Sequence, residues 1–155
     1  MQILVVEKAG FCFGVKRAIK LAFESAQKSK EKVYTLGPLI HNPQVVEELK
    51  KEGVEVIEDI KKIKKGVLVI RSHGVHPKVL EKVKKRKINI IDATCPYVKN
   101  AQNKAKVLAH EGYQVAVVGE SRHPEVKGIV GYANDKALVL NSNFDEIDSN
   151  ITKWN

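Results

Sequence analysis

The sequence predicts an α/β fold built from small parallel sheets flanked by helices, and three observations carry that prediction. Short runs of β-branched and apolar residues alternate with longer stretches whose apolar residues fall at helical spacing, the pattern of parallel strands joined by helical crossovers. Pro or Gly stands at several boundaries, as at Pro43 and Pro77. Two sets of residues also recur in the same order at nearly one offset, so the chain reads as duplicated lobes.

Taken in order, QILVV at 2–6 reads as a buried strand, followed by a helix over 15–30. KVYTL at 32–36 is the next strand, and a helix over 43–52 opens at Pro43, where a fixed φ suits a first turn. VEVI at 54–57 and VLVIR at 67–71 are short and mostly aliphatic, as strands covered on both faces are. A helix over 77–87, opened by Pro77, leads to INII at 88–91, and a helix over 97–111 leads to YQVAVVG at 113–119. ALVL at 137–140 completes the series of seven strands.

The repeat is more informative than any single element. Cys12-Phe-Gly-Val15-Lys16-Arg-Ala18 and Cys95-Pro-Tyr-Val98-Lys99-Asn-Ala101 share C-x-x-V-K-x-A, each in a loop that opens a helix, 83 residues apart. Gly37-x-x-x-His41-Asn-Pro43-Gln-Val45 then matches Gly119-x-x-x-His123-Pro124-Glu-Val126, with both the glycines and the histidines 82 apart. Two matches in order imply two lobes, 1–94 with the amino-terminal strand and the Cys12 loop, and 95–155. The first also holds a further strand-to-loop junction, Arg71-Ser72-His73-Gly74. From Cys95 only 61 residues remain to Asn155, so the second lobe is expected to stop before its next strand and cysteine-bearing turn.

Composition bounds the function. At 155 residues, with 43% hydrophobic and 29% charged residues, the chain is a globular protein with a sizeable core. No apolar run approaches the roughly 18 residues of a membrane span. The start carries no secretory pattern, so a cytoplasmic location is expected. The net charge of +9 comes mainly from lysine, with dense runs at Lys61, Lys62, Lys64 and Lys65, and at Lys82, Lys84, Lys85, Arg86 and Lys87. Neither run contains an aromatic residue, so neither offers the stacking platform of a single-strand binder. A basic module that grips RNA or another anion through these lysines stands as one alternative, and binding that weakens steeply with salt would mark it.

In parallel sheets, ligands collect at the carboxyl ends of strands, where loops and helix N-termini converge. Cys12, His41, His73, Cys95, His123 and Glu125 all fall at such places. Singly each has an ordinary structural role open to it, a buried thiol or a loop-satisfying imidazole; together, on equivalent loops, they point to a site. His76 and His110 lie at or within helical segments and read as structural or surface residues. Convergent imidazoles with lysines nearby would make an anion pocket. Three chemistries suit the thiols: zinc held by two Cys and two His, though CxxC and HxxxH spacings are missing; a thiol enzyme with Cys12 as nucleophile beside a histidine; or an iron–sulfur cluster with one thiolate from each lobe.

Five motifs then carry a resemblance. Gly10-Phe11-Cys12-Phe13-Gly14-Val15, Leu39-Ile40-His41-Asn42-Pro43, Arg71-Ser72-His73-Gly74-Val75, Asp92-Ala93-Thr94-Cys95-Pro96 and Arg122-His123-Pro124-Glu125 stand in order. They resemble the motifs of 4-hydroxy-3-methylbut-2-enyl diphosphate reductase, over Met1 to about Leu140 and over the amino-terminal half of a family member. The resemblance implies three pseudo-symmetric α/β lobes around a central cluster, of which two are represented here and the second is incomplete. It implies that Cys12 and Cys95 are two of three thiolate ligands of a 4Fe-4S cluster, and that His41, His73 and His123 hold the substrate's diphosphate. It also implies that Glu125 takes part in proton delivery. The reaction so implied is reductive dehydroxylation of (E)-4-hydroxy-3-methylbut-2-enyl diphosphate to isopentenyl and dimethylallyl diphosphate, the last step of the methylerythritol phosphate pathway. Electrons would come from a redox protein such as ferredoxin or flavodoxin, with no nucleic acid or membrane as partner. With two cysteines in all, the chain by itself is expected to be inactive.

Overall fold

The computed structural model describes residues 2–4 and 9–141. Helix α1, Phe13–Lys28, starts where Cys12 holds an extended conformation, and it turns Ala18 and Ala22 inward, both fully buried. Strand β1, Val33–Leu36, follows, then α2, Pro43–Lys51, with the Asn42 side chain capping its first turn by accepting from the Val45 N–H at 3.0 Å. Strand β2, Val54–Ile57, leads through a short 3₁₀ turn, Ile60–Lys62, to β3, Val67–Ile70, and then to α3, Pro77–Lys85. Strand β4, Asn89–Asp92, precedes α4, Pro96–His110; β5, Ala116–Val118, α5, Pro124–Tyr132, and β6, Leu138–Leu140, complete the described elements.

The first four strands form one parallel sheet in the order β2-β1-β3-β4. Because side chains alternate across a strand, β3 feeds two cores. Val67 and Val69 pack with Ala18, Ala22, Leu39 and Leu49 on the face covered by α1 and α2. Leu68 and Ile70 pack with Ile57, Ile63, Val83 and Ile88 on the opposite face, under α3. The chain leaves β1 toward β2 on one side and returns to β3 on the other, so the strand order reverses between β1 and β3. Such a reversal opens a crevice at the carboxyl ends of the strands.

A second parallel sheet contains β5 and β6 alone among the described residues, in the register Ala116↔Leu138 to Val118↔Leu140. Its core is small: Ala105, Val115 and Ala133, with Val117 and Ile129 packed against them.

Several expectations need correction. Gln2, Ile3 and Leu4 form no strand, and Ile3 is 72% exposed; Val5 and Val6, the rest of that expected strand, lie outside the described residues. The strand expected over 113–119 shortens to three residues; at its start the Tyr113 N–H donates to the Leu108 carbonyl at the end of α4, and at its end Gly119 bends away. Helix α5 was not expected at all. Its sequence carries Gly128 and Gly131, poor helix formers, but both are buried where neighbouring side chains leave no room for a Cβ, so packing overrides propensity. The polar tail beyond Asn141 lies outside the described residues.

Candidate active site

The loops after β1 and β3 are stitched together by their backbones, and this brings the first two histidines together. Gly37 leaves β1 at φ +71°, and its N–H donates to the Ile57 carbonyl at 2.7 Å. Leu39 and Ile40 are then buried as anchors, which presents His41 outward. The Leu39 carbonyl accepts from the Ser72 hydroxyl at 3.3 Å, fixing the loop that carries His73. That loop closes as a tight turn, with the Gly74 N–H donating to the Arg71 carbonyl at 2.9 Å. The Ser72 carbonyl in turn accepts from the Cys95 N–H at 2.9 Å, so the turn after β4 joins the same assembly.

His123 arrives from the second sheet. It is the N-cap of α5, and its Nδ1 accepts from the Glu125 N–H at 3.3 Å. A neutral ring in that role carries its proton on Nε2. The repeat is therefore imperfect in an instructive way. In the first copy Asn42 caps α2 and His41 precedes it, whereas in the second the histidine itself is the cap.

The three rings converge. Centroids are 4.7 Å apart for His41 and His73, 5.6 Å for His73 and His123, and 6.2 Å for His41 and His123. One nitrogen from each lies within 4.8 Å of the others. Burial, with His41, Arg71 and His123 nearby, pushes the His73 ring down to about 4, so it is neutral at pH 7. Its Nδ1 is buried without a hydrogen-bond partner, and so is Arg71 Nε. The Arg71 guanidinium lies across Gly37, where a Cβ would meet it at 2.9 Å, and burial lowers its pKa from the usual arginine range. Buried polar atoms left unpaired beside converging imidazoles suit a ligand rich in acceptor oxygens. The sequence motif contains Arg71 without pointing to a role for it; an arginine ending a wholly aliphatic strand is the available signal.

The two cysteines occupy equivalent positions. Cys12 is the N-cap of α1 and Cys95 the N-cap of α4, with their carbonyls accepting from Lys16 and Lys99 at 2.9 and 3.0 Å. Both thiols are free, Cys12 exposed and Cys95 half-buried. The two helix starts abut, since a Cβ on Gly14 would stand 2.5 Å from Cys95 Sγ. Arg17 ties them further by donating to the Thr94 and Asp92 carbonyls, each at 3.3 Å. Two sulfurs at helix N-termini, where the backbone dipole favours anionic groups, suit thiolate ligation. Glu125 lies half-buried in the first turn of α5, two residues beyond His123. His76 and His110 stand apart from the trio, His76 as the cap of α3.

The lysine runs lie elsewhere. Lys61, Lys82, Lys85 and Arg86, with Glu58 and Asp59, border an open groove of about 410 Å³ between the 3₁₀ turn and α3, equal in volume to the hollow beside His41 but holding neither a histidine nor a cysteine. No helix of the described residues is long and apolar enough to cross a membrane.

Comparison with known proteins identifies the family and the fold. The chain is 51% identical over 142 residues to the 4-hydroxy-3-methylbut-2-enyl diphosphate reductase of Geobacter sulfurreducens, covering 92% of this chain and 50% of that protein. It is 49% identical over 146 residues to the enzyme of the same name from Caldanaerobacter subterraneus subsp. tengcongensis, covering 92% and 51%. A solved structure of (E)-4-hydroxy-3-methyl-but-2-enyl diphosphate reductase, described as the terminal enzyme of the non-mevalonate pathway, matches with a TM-score of 0.80 at 49% identity, over 92% of this chain and 52% of that one. The E-1-hydroxy-2-methyl-but-2-enyl-4-diphosphate reductase of Plasmodium falciparum matches with a TM-score of 0.87 at 33% identity, over 96% and 46%. The chain thus spans about half the length of the curated relatives it matches. A family model described as LytB protein matches residues 3–153, and the chain belongs to the LytB protein family.

Proposed function

We propose that this chain supplies the diphosphate-binding histidines and two cluster ligands of a reductase that converts (E)-4-hydroxy-3-methylbut-2-enyl diphosphate to isopentenyl and dimethylallyl diphosphate. The convergence of His41, His73 and His123 at the carboxyl ends of parallel strands is the observation that carries this reading. Diphosphate offers many acceptor oxygens, and the His73 Nδ1 and Arg71 Nε are buried without partners. Their desolvation strengthens each hydrogen bond to an anion. Because the free His73 ring is neutral above about pH 4, an anion that stabilises its charged form binds together with a proton. At fixed ligand charge, affinity therefore falls as pH rises from about 4 to the titration point of the bound complex.

Cys12 and Cys95 fit two thiolate positions of an iron–sulfur cluster, on equivalent helix starts with Gly14 leaving space beside Cys95 Sγ. When bound, a 4Fe-4S cluster would pass the donor's two electrons on one at a time and supply Lewis acidity toward the substrate's hydroxyl group. Glu125, at the start of α5 beside His123, would hold the proton needed when that hydroxyl leaves as water. A third thiolate is not among these 155 residues, and the two sheets fit a division into lobes at 1–94 and 95–155. A small redox protein such as ferredoxin or flavodoxin would donate the electrons, and a cytoplasmic setting suits such a donor.

Titration calorimetry with inorganic diphosphate tests the central claim. Binding should be lost in His73→Ala and weakened about tenfold or more in His41→Ala, as expected when a charge-assisted hydrogen bond is removed. Binding that is unaffected by either change would overturn it. Assayed alone with a reduced mediator, the chain should not turn over, and normal rates would refute the need for a further thiolate. Three convergent imidazole nitrogens also suit zinc. Stoichiometric zinc that blocks diphosphate binding would favour that second reading.

A further inference from the structure

Segment 73–76 and helix α5 lie against each other, and they touch at three levels. At the first level the His73 and His123 rings stand 5.6 Å apart. At the middle level, the buried side chain of Gln102, from α4, fills the space between Gly74 and Gly128; a Cβ on either glycine would come within 2.5 or 3.0 Å of its Nε2. At the far level the His76 ring presses on Gly131, where a Cβ would stand 2.5 Å from it. Beyond Gly131, His76 Nε2 and Asp135 Oδ1 are 2.6 Å apart. Gly128 and Gly131 lie about one turn apart, so one face of α5 meets this side of the molecule, with His123 before the helix and Asp135 in the turn after it adding the end contacts.

The polar roles at the far level are defined by the neighbours. His76 Nδ1 accepts from the Lys78 N–H at 3.1 Å, which leaves Nε2–H to donate to Asp135. Asp135 also receives Lys78 Nζ at 2.5 Å, and both partners hold its carboxyl below the usual carboxylate range. Asp135 sits at φ +59° in the turn after α5, a left-handed conformation that Asp tolerates better than most residues. A nine-residue helix is about 13 Å long and stiff on this scale, so fixing its C-terminal end fixes its N-terminal cap.

Resting on the reading of the trio as a diphosphate site, we infer that His76 and Asp135 are positioning residues: their contact across α3 and the turn after α5 sets the distance between the His73 and His123 rings. His76 lies three residues beyond His73, and Asp135 lies just past the helix that His123 caps. The two pairs are thus opposite ends of one rigid frame. Within it, the two-stranded sheet contributes a ring to a site built mainly on the four-stranded one.

The test uses histidine-ring NMR on the whole 155-residue chain, with inorganic diphosphate as probe. Asp135→Gly removes the contact while tolerating the positive φ, Asp135→Asn keeps an acceptor for His76, and Lys78→Ala removes only the second partner. In the ligand-free chain, Asp135→Gly should shift the His73 and His123 ring signals and raise the His73 titration from about 4 toward 6.5, as burial and the His123 neighbour are lost. Asp135→Asn should restore most of the native titration, and Lys78→Ala should match the parent. Diphosphate affinity should fall about fivefold in Asp135→Gly, the lower end of ordinary coupling between sites. Should that variant not fold, His76→Asn keeps an N-cap for α3 but is too short to reach Asp135, and the same shifts are expected. Unchanged His73 and His123 rings in a folded variant would overturn the inference. Failure of diphosphate to perturb the parent's rings would instead overturn the reading of the trio, leaving the ligand-free shifts to judge the frame.

Discussion

Strand β3, at the centre of the four-stranded sheet, is buried at all four residues and faces two cores; β5, in the two-stranded sheet, leaves Ala116 and Val118 exposed, Val118 by 67%. Both sheets nonetheless deliver a histidine to the same trio. The difference teaches that placing a ring does not require a large local core. His41 and His73 are fixed by the sheet beneath them and by backbone bonds between adjacent loops. His123 is fixed by α5, which packs against α3 and α4 more than against its own sheet. Most of that support comes from α4, within the thinner unit itself, and a smaller share from α3 of the thicker one.

The comparison breaks most visibly in the cores. Leu68→Ala removes a fully buried side chain from β3 and should cost about 3 kcal/mol, the usual cost of a cavity that cannot collapse. Val117→Ala, at a half-buried site in β5, should cost about 1 kcal/mol. Urea unfolding followed by circular dichroism measures both. Equal costs would mean that the second sheet is as fully supported as the first.

A smaller effect sharpens the comparison at the site. His73 titrates at about 4 in the folded chain against 6.5 in an exposed setting. Between those values the unfolded chain binds the extra proton, so stability rises with pH across that window and is fully present above 6.5. As pH falls from 6.5 to 4 the chain should lose about 1–2 kcal/mol from this ring, after allowance for solvent screening of a partly exposed group. Thermal unfolding at stepped pH reads the slope, and His73→Gln should flatten it. A slope that survives the substitution would assign the loss to other groups.

These two regions also differ in how legible they were in the sequence. Strands β1 to β4 and helices α1 to α4 announce themselves through aliphatic runs, helical spacing and Pro at N1, because their packing is satisfied by the same residues that set their propensity. Helix α5 did not, since Gly128 and Gly131 weaken its helical signal and are explained only by Gln102 and His76 arriving from distant segments. The site was legible as a set of residues, through the doubled Cys and His loops, but not as a geometry. Arg71 and Gln102 escaped because nothing local marks a side chain as buried and unpaired. The His76–Asp135 contact escaped because its partners are 59 residues apart and match no motif.

The smallest expected change in stability tests how exposed the second sheet's outer strand is. Among the described residues β5 pairs only with β6, and Val118 points an apolar side chain into solvent beside unpaired backbone groups. An exposed apolar edge is a template for pairing with a second copy, and a lysine there opposes such pairing by charge and by its hydrated head. Val118→Lys should therefore leave the unfolding free energy within about 0.5 kcal/mol of the parent, as for surface positions without buried partners. Light scattering at rising concentration should nevertheless show less self-association. If stability falls by several times that margin, Val118 is covered in solution and the outer strand is not an edge. If stability holds and association is unchanged, chains meet elsewhere, and β5 is exposed without being adhesive.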